Sequence, residues 1–207
     1  MPDDTKLSEE ILERLERSKK PVVCNISNRH MHLTQGDLDA LFGPGYRLRK
    51  MRDLAQPGEF ASAETVTIKG PKGKLDKVRV LGPVRNYSQI EVSRTDCFLL
   101  GVSAPVKESG DIKGSAPVRV MGPYGEIDLA EGLIVARRHI HMTLRDAEGF
   151  GLKDKDIVRI YIPVSGRGII LEDTLVRVGP GYALECHIDT DEANSCDFKN
   201  GGSVFIV

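Results

Sequence analysis

The chain has 207 residues, of which 40% are apolar and 29% charged, with 29 Lys and Arg against 30 Asp and Glu. The formal net charge of −1 excludes a globally basic surface, so no nucleic acid partner is expected and an anionic substrate must be held by local groups. No apolar run approaches the roughly 20 residues that a membrane span requires, so we expect a soluble protein with no membrane partner.

Residues 1–20 form the first predicted element, a short amphipathic helix with one apolar stripe. The apolar residues of this stripe are Leu7, Ile11, Leu12 and Leu15. Two interpretations stay open: the helix packs on the domain that begins at Pro21, or it is a docking peptide for a partner or a shell. The segment lacks the apolar centre of a secretory signal, which favours a cytoplasmic, reducing compartment.

The four cysteines fit a reducing compartment. Cys24, Cys97, Cys186 and Cys196 are far apart in the chain and form no CxxC pair. Neither a zinc knuckle nor a redox motif is therefore predicted, and we interpret the four as buried or incidental thiols.

Beyond residue 20 the chain is rich in short segments of alternating or β-branched residues, separated by glycine-containing turns such as GPKG, GPYG, SGRG and NGG. These features predict short strands joined by tight turns. The fold class is therefore mainly β, with a barrel-like architecture and short capping helices rather than a βαβ sheet. The predicted strand segments are VVCNIS, ETVTIKG, KVRVLG, QIEVSR, PVRVMG, GLIVARR, IVRIYI, DTLVRV and SVFIV.

An internal repeat is the most informative feature of the sequence. The segment RHMHLTQGD, which begins at Arg29, aligns with RHIHMTLRD, which begins at Arg138, and a weaker third copy begins at His187. All three read His-x-(Thr/Asp)-x-x-(Asp/Glu), in which the last two positions form a helix-capping box. Each copy predicts a strand that ends in histidine and a short helix whose positive N-terminal end lies near the imidazoles and suits phosphate.

Alternate residues of an extended strand face the same side, so each His-x-His pair presents two imidazoles on one face. Such pairs are a typical chelating arrangement, although a single pair on an exposed strand is often incidental. Here all five histidines of the chain fall in the repeat, which favours metal binding. Without nearby cysteines, imidazole and carboxylate ligands indicate zinc first, with cobalt, manganese or iron as alternatives. The two pairs are His30 with His32 and His139 with His141.

Each pair needs a further protein ligand. In QIEVSR, Ile90 and Val92 are expected to face inward, so Glu91 faces the other way and is the best carboxylate candidate for the first pair; a solvated strand residue is the alternative. His187 can complete the second pair. Three protein ligands per metal leave coordination positions free, which favours catalysis over a metal that only clamps the fold together.

Long segments of the chain resemble the PduL family of phosphate propanoyltransferases over roughly residues 21–207. The resemblance implies an enzyme that interconverts an acyl-CoA, propanoyl or acetyl, and inorganic phosphate with the acyl phosphate and coenzyme A. It also implies two β-barrel domains with a two-zinc site between them. The domains are here residues 21–115 and 116–207, with an approximate boundary, and a crossing of the chain between them stays open. The segments are SNRHMHLT, LFGPGY, DLAQPGEFASAETVTIKGPKG, VRVLGPVR, QIEVSRTDCFLLG, ESGDIKGS, ARRHIHM and ALECHIDTDEAN.

The resemblance also implies the roles of individual residues. One zinc would take its ligands from His30, His32 and Glu91 and offer an open position to phosphate, and the other from His139, His141 and His187. Arg85, in GPVR, matches an arginine that contacts phosphate and is the predicted catalytic and substrate-binding residue.

Several questions stay open at this point. Arg29 and Arg138 precede the histidine pairs and either add positive charge to the site or pair with carboxylates. A zinc-dependent hydrolase that acts on a thioester or phosphate ester is the alternative function. A homo-oligomer and a bacterial microcompartment shell are the further partners to consider, since many members of the family carry an N-terminal encapsulation peptide.

Overall fold

The structure is a computed structural model that describes residue 12 and residues 14–207. Residues 14–17 are helical, and the side chains of Leu12 and Leu15 are exposed. The remaining apolar positions of the predicted N-terminal stripe, Leu7 and Ile11, lie outside the described residues. Within the part of the chain that the structure describes, no helix has both the length and the apolar content needed to cross a membrane.

Short strands dominate, as the sequence predicts, and four short helices have complete bounds within the described residues. The strands are β1 (Pro21–Ser27), β2 (His30–His32), β3 (Lys50–Asp53), β4 (Phe60–Lys69), β5 (Lys74–Gly82), β6 (Gln89–Glu91), β7 (Val106–Lys107), β8 (Ala116–Met121), β9 (Glu126–Ala136), β10 (His139–Met142), β11 (Ile157–Ile162), β12 (Ile169–Val178), β13 (Glu185–Asp189) and β14 (Gly202–Ile206). The helices are α1 (Gln35–Phe42), α2 (Arg94–Leu100), α3 (Leu144–Phe150) and α4 (Thr190–Ser195).

The strands form two closed six-stranded barrels, which confirms the mainly β, two-barrel prediction. The barrel built from both ends of the chain, here the terminal barrel, has the strand order β1-β13-β10-β12-β11-β14. In the other, the inserted barrel, β4, β5, β2, β6, β9 and β8 close a ring, and β3 and β7 extend it. Each barrel has its own apolar core of mainly Val, Ile and Leu side chains.

The chain crosses between the two compact units, a possibility that the sequence prediction leaves open. The inserted barrel comprises Asn28–Arg137, and the terminal barrel comprises the described residues up to Ser27 together with Arg138–Val207. The predicted change near residue 115 differs from this division, because β1 pairs with β13 and β14 rather than with its neighbours in sequence. Each His-x-His strand therefore begins immediately after the chain has changed barrels.

Each of the four helices follows a short strand, and the three that follow the predicted repeat copies are capped by residues of the repeat. Thr143 with Asp146 and Asp189 with Glu192 form complete capping boxes, as the sequence predicts. In the first copy the Thr34 hydroxyl accepts from the backbone of Asp37, but the Thr34 backbone N–H donates to Ser88 Oγ. The predicted box is therefore only half formed there.

The four cysteines are buried and reduced, as predicted. Cys24 and Cys186 face each other across the parallel pair of β1 and β13 inside the terminal barrel. Burial and the neighbouring Cys24 thiol raise the pKa of Cys186, with the hydrogen bond to Cys24 as the largest cause. A raised thiol pKa makes a nucleophilic role for this residue unfavourable.

Two candidate metal centres

The first candidate centre lies in the inserted barrel, where β2 runs antiparallel to β6. His30 and His32 lie on one face of β2, with their ring centroids 5.2 Å apart. Glu91 on β6 lies directly opposite His30, and its Oε2 is 3.5 Å from His30 Nε2. Ile90, between Glu91 and Gln89, points into the apolar core. The structure thus brings together all three residues that the sequence proposes for this centre.

The two imidazoles of the first centre are oriented for use as ligands. His30 Nδ1 lies 2.8 Å from the carbonyl oxygen of Asn28, which can only accept, so the proton belongs on Nδ1 and the lone pair of Nε2 faces Glu91. Burial, followed by the charges of His30 and Arg85, holds the pKa of His32 well below its usual range. A neutral imidazole is the form that binds metal.

Glu91 is held by a residue that the sequence analysis missed. The amide Nε2 of Gln89 donates to Glu91 Oε1 at 2.8 Å, and both side chains are buried. Gln89 is itself fixed, because its Oε1 accepts from the backbone N–H of Gly110 at 2.8 Å and its Nε2 lies 3.0 Å from Ser109 Oγ. Its position two residues before Glu91, on the same strand face, is the signal that could have indicated it.

Arg85 lies in the same part of the inserted barrel, close enough for its charge to lower the pKa of His32. Its Nη2 donates to Glu59 Oε1 at 2.5 Å and its Nη1 donates to the hydroxyl of Tyr87 at 3.2 Å. The side chain keeps 22% of its surface exposed. Glu59 and Tyr87, which the sequence analysis did not single out, therefore orient a guanidinium group that solutes can still reach.

The second candidate centre lies in the terminal barrel and consists of His139, His141 and His187. Among the described residues, this is the one set of three potential ligands whose ligand atoms all lie within 4.8 Å of one another. His187 on β13 lies opposite His139 on β10, and its Nδ1 is 3.3 Å from His139 Nε2. The first centre is a looser arrangement of the same kind.

Two further residues support the second centre, Tyr182 and Glu185, and the sequence analysis did not single out either of them. Tyr182 stacks on His141 with ring centroids 4.3 Å apart and an interplanar angle of 23°. The guanidinium carbon of Arg177 lies 5.7 Å from the centroid of the Tyr182 ring. Glu185, two residues before His187, places its Oε2 3.0 Å from His187 Nε2. The aromatic ring and the carboxylate restrict the orientation of two of the three imidazoles.

The strand pairing reveals a fourth copy of the repeat. Glu91, Ser93 and Asp96 follow the spacing of His187, Asp189 and Glu192, and Ser93 and Asp96 also form a complete capping box. Glu91 lies opposite the first histidine of β2 just as His187 lies opposite the first histidine of β10. The copy escaped the sequence analysis because a glutamate stands where the other copies have histidine.

The two arginines that precede the histidine pairs form ion pairs with carboxylates. Arg29 Nη2 lies 3.4 Å from Asp96 Oδ1, and Arg138 Nη1 donates to Glu192 Oε1 at 2.7 Å. Both acids are capping residues of the helix that follows the partner strand. Of the two interpretations of these arginines, the structure favours pairing with carboxylates.

The donor chemistry of both centres fits a divalent metal ion such as zinc, which takes imidazole and carboxylate ligands. Nδ1 of the buried His32 has no hydrogen-bond partner among the described residues. A buried ring nitrogen in this state is costly, and a bound cation would satisfy it.

A family model for phosphate propanoyltransferases matches residues 23–199, which contain every ligand candidate.

The chain belongs to the phosphate propanoyltransferase family.

Three relatives illustrate how closely the chain follows this family. The phosphate propanoyltransferase of Thermotoga maritima is 49% identical over 194 residues, which cover 94% of this chain and 92% of the relative. That of Priestia megaterium is 52% identical over 189 residues, 90% of this chain and 87% of the relative. That of Salmonella typhimurium is 44% identical over 185 residues, 89% of this chain and 88% of the relative. The predicted family and its enzyme class, acyltransferase, are confirmed.

Proposed function

We propose that this phosphate propanoyltransferase family member transfers an acyl group, propanoyl or acetyl, between coenzyme A and inorganic phosphate, with two zinc ions per chain. The observation that carries the proposal is the first centre, where His30, His32 and Glu91 converge beside Arg85. Two imidazoles and a carboxylate suit a metal ion, while an accessible guanidinium suits phosphate. The name of the relatives, phosphate propanoyltransferase, supports phosphate and a propanoyl group as the reacting groups.

The reaction is balanced without an oxidant or a covalent enzyme intermediate. An oxygen of hydrogen phosphate attacks the thioester carbonyl carbon, a C–O bond forms and the C–S bond breaks. Coenzyme A departs as a thiolate and takes up the proton that phosphate loses. The protein must therefore bind a dianion, orient it toward the carbonyl and stabilise negative charge on the carbonyl oxygen and on sulfur.

Arg85 supplies the orienting contact for phosphate. A guanidinium group carries five N–H donors in one plane and matches two phosphate oxygens at once. Glu59 and Tyr87 each accept a hydrogen bond from one of the two terminal nitrogens and together fix the plane of the group. Arg85 can then bind phosphate in one orientation without a large loss of side-chain entropy on binding.

His30, His32 and Glu91 hold one zinc ion in this proposal, and His139, His141 and His187 hold the other. When bound, zinc supplies positive charge that polarises oxygen and stabilises a departing thiolate. With three protein ligands per ion, positions remain for substrate or water, as in catalytic rather than structural zinc sites. Asn28 and Gln89 hold the ligands of the first centre in place before substrate binds.

The test is coenzyme A release from propanoyl-CoA and acetyl-CoA, with and without inorganic phosphate, before and after removal of metal with a chelator and restoration with zinc. Release that requires both phosphate and zinc is expected, and the relative rates rank the two acyl groups. Release that requires zinc but not phosphate would identify the alternative function, a zinc-dependent thioester hydrolase. Release that persists after metal removal would overturn the metal assignment.

A further inference from the structure

The ligand candidate His187 is held between two groups in the terminal barrel. Its Nε2 lies 3.0 Å from Glu185 Oε2, and its Nδ1 lies 3.3 Å from His139 Nε2. A carboxylate can only accept, so its contact favours the tautomer with the proton on Nε2. The lone pair of Nδ1 then faces the other histidines of the second centre.

Glu185 is well placed to impose this tautomer. It lies two residues before His187 on β13, so both side chains are on the same face of the strand. Only 4% of its surface is exposed, and its other oxygen, Oε1, accepts from the amide Nδ2 of Asn25 on the neighbouring strand β1. The carboxylate is therefore held on both oxygens by side chains of the terminal barrel.

The first centre has a residue at the equivalent position, with the opposite hydrogen-bonding character. Gln89 lies two residues before Glu91, opposite His32, as Glu185 lies opposite His141. Gln89 donates its amide N–H to Glu91, whereas Glu185 accepts from His187. Two residues before the acidic ligand candidate, the side chain is thus a hydrogen-bond donor. Two residues before the imidazole ligand candidate, it is an acceptor.

We infer that Gln89 and Glu185 are matched positioning residues, each of which sets the orientation of the third ligand of its own centre through a hydrogen bond of the appropriate polarity. The inference rests on the proposed function in one respect, that both centres bind metal. Partners of this kind, placed behind the ligands, commonly change metal affinity by about 10–100-fold. Neither residue is itself a ligand in this assignment.

Glu185→Gln tests the second centre with a change of nearly equal size. The glutamine side chain carries no negative charge, and its N–H can donate to His187 Nε2. That contact favours the tautomer with the proton on Nδ1, so the Nδ1 lone pair is lost to the metal. Zinc affinity of the second centre is expected to fall about 10–100-fold in a competition titration with a chromophoric chelator. Glu148→Gln is the matched control, because it removes the same charge from an exposed position of the same barrel. The zinc affinities of the first and second centres are both expected to stay unchanged in this variant.

A ligand exchange in the first centre tests whether an acidic ligand needs a donor beside it and an imidazole ligand an acceptor. Glu91→His alone places an imidazole against the amide donor of Gln89, and the zinc affinity of the first centre is expected to fall. Adding Gln89→Glu recreates the pair seen at His187, and is expected to recover at least about 10-fold of the loss. The neighbours tolerate the change, since Gly110 N–H and Ser109 O–H can each donate to a carboxylate.

Cobalt substitution provides a second readout, because the visible absorption of cobalt reports the geometry of its ligands. The spectrum of the second centre is expected to change in Glu185→Gln and to stay unchanged in Glu148→Gln. If Glu185→Gln does not fold, Asn25→Ala, which leaves the carboxylate in place but removes its anchor, is expected to weaken zinc binding in the same direction. The ligand exchange in the first centre does not depend on either variant.

The inference would be overturned if the native chain, Glu185→Gln and Asn25→Ala had equal zinc affinity. It would also be overturned if Glu91→His had the same zinc affinity with and without Gln89→Glu. The phosphate dependence of coenzyme A release separates this result from a failure of the proposed function. A native chain that binds zinc, responds to these variants and lacks phosphate-dependent release would overturn the function alone. A native chain that binds no zinc would overturn both.

Discussion

Glu91 and His187 occupy equivalent positions in the two barrels. Each lies opposite the first histidine of a His-x-His strand, and each precedes a complete capping box by the same spacing. One backbone arrangement therefore presents a carboxylate in the inserted barrel and an imidazole in the terminal barrel. If both candidate centres bind a metal ion, as proposed, the first ion would have a carboxylate among its ligands and the second would have imidazoles alone.

Removal of the acidic ligand is the first prediction. Glu91→Gln is expected to lower the zinc content by one ion per chain and to reduce turnover by at least on the order of 10²-fold, because positive charge near the reacting atoms is lost. Zinc content is measured by elemental analysis of the purified chain, and turnover by coenzyme A release. The far-ultraviolet circular dichroism spectrum is expected to stay the same.

Glu126→Gln is the matched control for this variant. Glu126 is an exposed residue of the same barrel, where it forms a surface ion pair with Arg119. Such pairs contribute about 0–1 kcal/mol, so both zinc content and turnover are expected to be unaffected. Full zinc content and full turnover in Glu91→Gln would exclude Glu91 as a ligand.

The second prediction concerns phosphate. Arg85→Lys keeps the charge but loses the planar pair of donors, and the KM for phosphate is expected to rise about 10–100-fold, as for loss of one hydrogen bond to a charged group. The KM for propanoyl-CoA is expected to change little. Steady-state kinetics with each substrate varied in turn separates the two effects.

Arg119→Lys serves as the control, since Arg119 also binds a carboxylate, Asp128, through two nitrogens but lies exposed on β8. Its kinetic constants are expected to match those of the native chain. An unchanged KM for phosphate in Arg85→Lys would mean that Arg85 does not bind phosphate and serves only to contact Glu59 and Tyr87.

The third prediction concerns the core beneath the second centre. Ile140 lies between His139 and His141 and points into the terminal barrel, where it is fully buried. Ile140→Ala is expected to lower the free energy of unfolding by about 2–5 kcal/mol through lost apolar contact and the cavity left behind. In a chain of this length each kcal/mol corresponds to about 2–4 °C in Tm.

Thermal unfolding of the metal-free chain measures this effect without a contribution from bound ions. Ile170→Ala on β12 of the same barrel removes the same atoms from a side chain that is about half exposed. Its Tm is expected to fall much less than that of Ile140→Ala. Equal Tm values for the two variants would contradict the placement of Ile140 in the core.

Local patterns made much of the candidate site predictable. The two-residue period of a strand is enough to place His30 beside His32 and to direct Ile90 away from Glu91, and the structure agrees on both points. The capping boxes follow from side chains three residues apart. Each of these relationships depends on neighbours within one strand or one helical turn.

Relationships between distant segments escaped the sequence analysis. The pairing of β1 with β13 joins residues that are far apart in the chain, so the exchange of strands between barrels has no local signal. Tyr182 and Glu59 become part of the sites only through folding of loops onto β10 and beside Arg85. Their residue types are common on protein surfaces, and nothing in the neighbouring sequence distinguishes them.

The final prediction concerns pH and Glu192, whose carboxyl caps α4 and pairs with Arg138. Burial raises the pKa of Glu192 above its ordinary value of 4.5, and hydrogen bonds from Asp189 and Arg138 offset this rise only in part. The folded chain therefore holds this proton more tightly than the unfolded chain does. Between 4.5 and the higher folded pKa, the free energy of unfolding is expected to fall as the pH rises.

Glu192→Gln isolates this contribution, because glutamine can still complete the capping box but does not titrate. Urea unfolding of the metal-free native chain and of the variant is measured from about pH 4 to pH 7. The native chain is expected to lose stability relative to Glu192→Gln as the pH rises through the window, whereas Glu148→Gln, an exposed change in the same barrel, shows no such difference. Parallel stability curves for the native chain and Glu192→Gln would mean that Arg138 and the helix cap compensate fully for burial of the carboxylate.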